Sequence, residues 1–493
     1  MKITEQSLDK LEEQIRTNSA PKLEYFLKLN KNKVPRKFVA RYANLLRRLG
    51  GTKYALSLLN PIVRGEIEKP SVEEIIEYAS CLSRLDLIDE AIALLTDILN
   101  KNQPEIYLEL AIAYMTKWDY PNAIPHLLRY LSFENLTPYK VCVGEINLAA
   151  SYLFVEEKDK AESILKILLV KVKKNNFHLL WGNILELLGE LYLSQKKYDL
   201  ASQYFKDCRS KLQSSDPRYQ LYLERWEVII KMLKENGSKE SLDLWKQVRK
   251  QSAAILDWNS LRELELYKAV VANDIKSIKN IYYSVPYPEY RRRILSLWNK
   301  PLQLTPTYNL KIGPGEPLAK KIFDIESGRD LFTNQQLKPG QSIHRLMQAL
   351  TADFYAPFLT EKIFSLVFKG HFFNPITSPQ QVRQLINRLN KWFVKNKIPF
   401  TVKRTIAGYR LRSSEAYFIR IPINAFNLTN VDKFLNRLKE KGLVENFSVT
   451  MVVEKLSFSR RSAIRLLNEA VKRGKVVRQG QAKRTSYTLV SSQ

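Results

Sequence analysis

The chain has 493 residues, 45% of them hydrophobic and 26% charged, with 79 Lys and Arg against 50 Asp and Glu, for a formal net charge of +29. That length accommodates two to four domains of ordinary globular composition, and so basic a balance calls for a polyanionic partner, nucleic acid or an anionic membrane. No run of 18 apolar residues is present, the opening MKITEQSLDKLEEQ has no apolar stretch, and Cys81, Cys142 and Cys208 form no CxxC pair, which argues against a membrane span, a secretory leader, and a zinc or dithiol centre. The expectation is a cytoplasmic protein with buried free thiols.

The first 290 residues carry a repeat. A small residue recurs early in an apolar helical pattern at Ala55, Ala91, Ala123, Ala161 and Ala201, spaced 36, 32, 38 and 40 apart. The fullest copy, LLGELYLSQKKYDLASQYFKDC (187–208), sets Gly189 and Tyr192 on one helix and Ala201 and Phe205 on the next. Small side chains let two helices approach, and large neighbours fill the groove beside them. The pattern resembles the tetratricopeptide repeat over residues 36–235, with a wandering period and most of its Trp and Pro positions missing. The resemblance implies five or more stacked helix pairs, weakening towards Tyr290, with a concave face that takes a protein or peptide partner. Self-association is another use of such a face, and an inert scaffold is the plainer reading. Residues 291–319, rich in proline and aromatics, read as a linker or strand-bearing junction, with Arg291–Arg293 on a solvated helix face or at nucleic acid.

The remainder is more basic. Residues 311–493 hold 32 Lys and Arg and 12 Asp and Glu, so +20 of the +29 lies in little more than a third of the chain. Within 320–412, KKIFDIESGRDLFT reads as a hairpin turning at Ser327-Gly328. Helical patterns follow at 342–353, 361–368 and 379–396, the last N-capped by Ser378 ahead of Pro379. That third helix places Val382, Leu385, Ile386, Leu389 and Phe393 on one side and Gln380, Arg383, Gln384, Asn387, Arg388 and Lys391 on the other. PFTVKRTIAGYRLR (399–412) reads as two strands turning near 406–408. Hairpin, three helices and hairpin, closing on GYRL after VRQLINRLNKW, resemble the winged-helix effector domain of OmpR-type response regulators. That resemblance implies that the six polar residues face duplex DNA, with Lys403, Arg404 and Arg410 near the wing. Thr405-Ile406 stands where the family usually has Arg-Gly, and no receiver domain is present, so phosphorylation control is not implied.

The segment 413–493 has the same plan. Helices near 430–442 and 448–456 and a turn at 457–459 lead into LSFSRRSAIRLLNEAVKRG. Arg460 and Arg461 follow Ser459, which reads as an N-cap, at the end of the helix where the macrodipole disfavours cations. Ala463, Ile464, Leu467, Ala470 and Val471 form the apolar side; Arg461, Arg465, Asn468 and Lys472 the polar one. A basic hairpin with Lys483 and Arg484 at its tip completes a pattern similar to the broad winged helix-turn-helix superfamily.

Catalytic signatures are missing. His126, His178, His344 and His371 lack metal spacing, no phosphate loop, nucleophile elbow or dinucleotide fingerprint occurs, and GGTK (50–53) reads as a turn. The expectation is therefore a mainly α chain without enzymatic activity, cofactor or metal: helical repeats over 1–290, then two winged-helix (α+β) domains at 320–412 and 413–493. Its function is expected to be regulation of transcription at the nucleoid through duplex DNA. Direct readout is expected from Gln384, Asn387 and Arg388 in one module and from Arg461 and Arg465 in the other, with Arg460, Asn468 and Lys472 also at the duplex and Lys483 and Arg484 anchoring phosphates. A scaffold subunit of a protein assembly, or an RNA-binding protein, uses the same elements and stays open as the alternative.

Overall fold

The computed structural model describes residues 4–16, 34–65, 69–211, 217–423, 434–435, 438, 442–456, 460–472, 475–480 and 485–490. They divide into two compact units, Met1–Ile421 and Pro422–Gln493.

Among the described residues of the larger unit, α1 (Glu5–Arg16) precedes seven helix pairs: α2 (Val39–Arg48) with α3 (Thr52–Val63), α4 (Val72–Arg84) with α5 (Ile88–Asp97), α6 (Pro104–Thr116) with α7 (Tyr120–Leu131), α8 (Pro138–Phe154) with α9 (Lys158–Lys174), α10 (His178–Ser194) with α11 (Tyr198–Lys211), α12 (Pro217–Lys234) with α13 (Lys239–Ala254), and α14 (Trp258–Val271) with α15 (Ile275–Tyr283). A last helix, α16 (Pro288–Trp298), ends the array.

One turn geometry joins every pair. Gly50, Asp86, Trp118, Glu156, Lys196, Asn236 and Asn273 all have positive φ, from 49° at Asn236 to 87° at Gly50. The next residue in each case donates its N–H five residues back, as in Leu87 to Leu82 (3.0 Å) and Lys197 to Tyr192 (2.9 Å). This is the Schellman closure, which satisfies helix-end carbonyls and folds the second helix back on the first. Five residues beyond each left-handed position stand Ala55, Ala91, Ala123, Ala161, Ala201, Ser241 and Ile278, all fully buried. The expected small-residue contact is present in the first five pairs, and the same position persists in two more with other side chains. A Cβ on Gly189 would sit 2.7 Å from the Phe205 ring, so this crossing needs glycine. The first helices of successive pairs also touch: α2 with α4, α4 with α6, α8 with α10, and α12 with α14.

Beyond α16 the chain builds a sheet-and-helix module: β1 (Thr307–Ile312), β2 (Ile322–Asp324), β3 (Arg329–Asp330), α17 (Ser342–Leu350), α18 (Thr360–Val367), α19 (Ser378–Lys395), β4 (Phe400–Thr405), β5 (Gly408–Ser413) and β6 (Tyr417–Pro422). The sheet order is β1-β6-β2-β3, with β2 parallel to β6 and antiparallel to β3 across Gly328 (φ 71°). Strand β6, past the expected limit at residue 412, therefore belongs to this sheet: alternating burial of Tyr417, Ile419 and Ile421 fits a strand with one face on the core. Residues 291–319 form a strand-bearing junction: α16 runs to Trp298, and β1 pairs into the sheet.

The smaller unit holds α20 (Val449–Leu456), α21 (Arg460–Lys472) and an antiparallel hairpin of β7 (Val476–Gln479) and β8 (Ser486–Leu489). Its own core includes Phe447, Val452, Ala463, Leu467, Val476 and Tyr487. The three cysteines are free and buried. Among the described residues no helix is long and apolar enough to cross a membrane, and no cluster of metal-ligating side chains occurs.

Candidate nucleic-acid interface

Helix α19 has the amphipathic division that its sequence predicts. Val382, Leu385, Ile386, Leu389 and Phe393 are each at most 4% exposed, while Gln380, Arg383, Gln384, Asn387, Arg388 and Lys391 are exposed. Its start differs from expectation. Ser378 is the first helical residue, and its buried hydroxyl accepts from Asn374 N–H (2.9 Å) instead of capping the helix. Asn374 Oδ1 accepts from the N–H groups of Ile376 and Thr377, so the preceding loop supplies the turn. Asn390 fixes the hairpin to the helix: Val402 N–H donates to its Oδ1 (2.8 Å), and its Nδ2 donates back to the Val402 carbonyl (3.2 Å). A reciprocal backbone pair between Phe358 and Tyr409 (2.8 Å each way) holds β5 beside α18.

Lys403 and Arg404 on β4 are exposed, and the turn carries Ile406 fully in solvent. Arg410 corrects the reading of the wing. Its guanidinium turns inward, donates to the carbonyls of Phe354 and Tyr355, and lies 5.6 Å from the Trp258 ring centroid. Burial, with Arg412 nearby, pulls its pKa down. Arg410 stands opposite Lys403 in the hairpin register, but its side chain reaches the 354–355 segment and Trp258 of α14 while Lys403 stays exposed. Both of those hydrogen bonds come from Nη2 and draw the guanidinium towards the array.

Two of the three arginines in the 291–293 triplet also need correction, while Arg292 lies on the solvated helix face that the sequence suggests. Arg291 is 5% exposed and its Nε donates to the carbonyls of Tyr282 and Val285. Arg293 donates to Glu263 (2.9 Å), and Arg292 pairs with Glu289. Arg291 and Arg293 tie α16 to its neighbours, whereas Arg292 is exposed and pairs within its own helix.

In the smaller unit Arg460, Arg465 and Asn468 are exposed on α21. Arg461 and Lys472 belong to the same helix, but their side chains lie outside the described residues, as do Ser459, Lys483 and Arg484. Ile464, expected inside, is 37% exposed; Leu466 is buried in its place (5%), because the face with Ala463, Leu467 and Ala470 is centred one residue further round. None of the exposed cations of α19, β4 or α21 named here has a carboxylate within 4.0 Å among the described residues.

Local sequence patterns do not disclose that the module is fastened to both ends of the array. At the N-terminal end Lys53 pairs with Glu361 (2.8 Å), Lys362 with Asp86 (3.5 Å), Phe373 N–H donates to Glu90 (3.0 Å), and Arg64 lies 4.0 Å from the Phe372 ring centroid. At the other end Tyr355 donates to Glu265 (2.9 Å), Arg262 faces Asp353 (3.9 Å), and Phe354 N–H donates to the Ser284 carbonyl (3.1 Å). A second polar cluster lies on the stacked first helices. Tyr222 donates to Glu190 (3.2 Å), Arg225 to Ser260 (3.1 Å), and burial together with Glu190 pushes the Glu186 carboxyl up to about 7. Helical periodicity marks these positions only as polar interruptions of an apolar face.

No family model matches the chain, and no curated protein does so. Several solved structures are similar to it at low identity, three of them as follows. A tetratricopeptide-repeat protein from Thermus thermophilus, TTC0263, is 19% identical over 39% of this chain and 100% of its own, with TM-score 0.33. A Rap protein complexed with competence and sporulation factor is 14% identical over 56% and 84%, with TM-score 0.41. The human IFIT1 dimer with m7Gppp-AAAA is 15% identical over 59% and 76%, with TM-score 0.35. At those scores the likeness carries no argument about ligand or activity, and the helix-pair architecture rests on the repeated turn and the buried position described above.

Proposed function

We propose that this chain is a DNA-binding regulator of transcription, in which the module and the C-terminal unit act as tandem winged helices and the repeat array takes a protein or peptide partner. One observation carries the reading. Gln380, Gln384, Asn387, Arg388 and Lys391 form an exposed stripe along α19, and the two cations of that stripe have no carboxylate partner among the described residues. Helix α19 is itself clamped to its hairpin through Asn390. Amide and guanidinium groups fork onto purine edges, and cations release condensed counterions from the duplex. Arg465 and Asn468 give α21 the same equipment, and two modules on one chain raise the effective concentration of each for a single duplex.

The scaffold reading is favoured by a different observation, the fastening of the module to α3–α5 and α14–α16 with Arg410 turned inward. A mobility shift of the full chain on mixed genomic fragments at two salt concentrations, with duplex RNA as competitor, separates the three. Salt-sensitive binding to DNA that RNA does not displace supports the regulator; displacement by RNA supports an RNA-binding protein; retention of neither leaves the scaffold.

A further inference from the structure

A cavity of about 240 Å³ lies at the seam between the array and the module. Its walls come from four elements, one of the array and three consecutive ones of the module: Lys53 and Ser57 of α3, Thr360 and Glu361 at the start of α18, Arg383 of α19, and Arg404 of β4. Three cations and one carboxylate face it, so its formal charge is +2. The carboxylate, Glu361, is engaged by Lys53 at 2.8 Å, whereas Arg383 and Arg404 have no acidic partner within 4.0 Å among the described residues. Helix α18 opens at this wall with Leu359 as an N-cap without a side-chain cap, and Glu361 in its first turn already complements the dipole, so the unpaired positive charge of the site comes from Arg383 and Arg404.

We propose that this seam is a binding site for a small phosphoryl dianion, free phosphate or a phosphomonoester. Two guanidinium groups suit phosphoryl oxygens, which they can fork. A dianion balances the +2, whereas a carboxylate leaves one charge uncompensated. The volume falls below the ~300–1,000 Å³ of pockets for drug-sized ligands. Lys53, Leu56, Ser57 and Leu85 of the array close one side, so a duplex backbone does not fit into it as it stands. The site is therefore distinct from the DNA-facing stripe, although Arg383 and Arg404 border both. Occupancy ties the array to the module through Lys53 and the two arginines, which makes such an anion an effector of their union.

The test needs no DNA. Full-length protein is titrated calorimetrically with inorganic phosphate and with AMP, against adenosine and chloride at matched ionic strength. The expected result is saturable binding of one phosphate or AMP per chain, no response to adenosine, and at least tenfold weakening in Arg383→Gln/Arg404→Gln. The comparison variant Arg388→Gln/Lys391→Gln, which alters exposed cations outside the cavity, is expected to bind as the parent does. Unliganded melting curves confirm that both variants fold. The proposal is overturned if chloride matches phosphate, if the comparison variant loses as much, or if a 20-base-pair duplex binds through Arg383 and Arg404 while phosphate and AMP do not. This last outcome leaves the DNA reading standing, and absence of DNA binding leaves the anion site standing.

Discussion

Arg388 and Arg410 are both arginines that sequence reasoning assigns to DNA, and the structure sets them in opposite environments. Arg388 and Lys391 are exposed on α19, whereas Arg410 donates to the Phe354 and Tyr355 carbonyls. Replacing each set by alanine should therefore move different observables. For a mixed-sequence duplex, each phosphate neutralised contributes about −0.9 to the slope of log K against log salt. If Arg388 and Lys391 each meet one phosphate, Arg388→Ala/Lys391→Ala makes the slope shallower by about 1.8. Between about 50 and 200 mM salt, the roughly fourfold change then weakens the variant roughly twelvefold less than the parent. Arg410→Ala should leave that slope unchanged and instead lower stability by ~1–3 kcal/mol, because two partly buried carbonyls lose their donor.

Fluorescence anisotropy across a salt series reads the slope, and urea unfolding reads the stability. Equal slopes for the parent and Arg388→Ala/Lys391→Ala refute the assignment of α19 to the duplex. A shallower slope for Arg410→Ala, with unfolding unchanged, refutes the inward role of Arg410 and shows the hairpin rearranging on DNA.

How much of this was legible in the sequence follows from which signals are local. The apolar stripe of α19 is a local periodicity, and all five of its inward residues lie where spacing puts them. The turn at Gly328 and the hairpin across 406–407 are likewise set by a few neighbouring residues. The alanine motif marked five pairs and faded after Ala201 because the equivalent positions are Ser241 and Ile278. The backbone kept the turn where the side-chain signal changed. What the sequence could not show is long-range: that Lys53 meets Glu361, that Glu90 accepts from Phe373, or that Tyr355 reaches Glu265. Nothing in the composition around these residues distinguishes an interface from a solvated surface. The same blindness put Arg291, Arg293 and Arg410 among cations free to bind, since burial of an arginine depends on carbonyls and rings that arrive from elsewhere in the chain.

Gly189→Ala places a methyl group 2.7 Å from the Phe205 ring, which stacks on Trp226. Overpacking costs ~1–3 kcal/mol against a helix-propensity gain of about 1 kcal/mol, so urea unfolding should show a net loss that reverses sign in a Phe205→Leu background. Glu186, pushed up to about 7 by burial and Glu190, holds a proton in the folded chain that the unfolded chain releases at an ordinary glutamate value of about 4.3. Stability should fall as pH rises across that window and level off above it; melting temperatures between about pH 4.5 and 8 should show this slope, and Glu186→Gln should flatten it. A charge substitution tests the clasp. Arg262 and Asp353 are 4% and 5% exposed, and Asp353 also accepts from the N–H groups of Tyr355 and Ala356. Asp353→Asn removes the charge and keeps an oxygen for those N–H groups, so it isolates the electrostatic part; because Arg262 keeps its hydrogen bond to Asn259 (2.6 Å) and faces Asp353 only at 3.9 Å, the loss should be about 1–3 kcal/mol. If that charge is what holds the module to α14, Arg262→Met should recover most of the loss in the Asp353→Asn background, because an apolar side chain of similar length needs no counter-ion. A double variant no more stable than Asp353→Asn alone would place the contribution of Asp353 in its backbone hydrogen bonds, with the module held to the array by Tyr355, Lys362 and Lys53 instead.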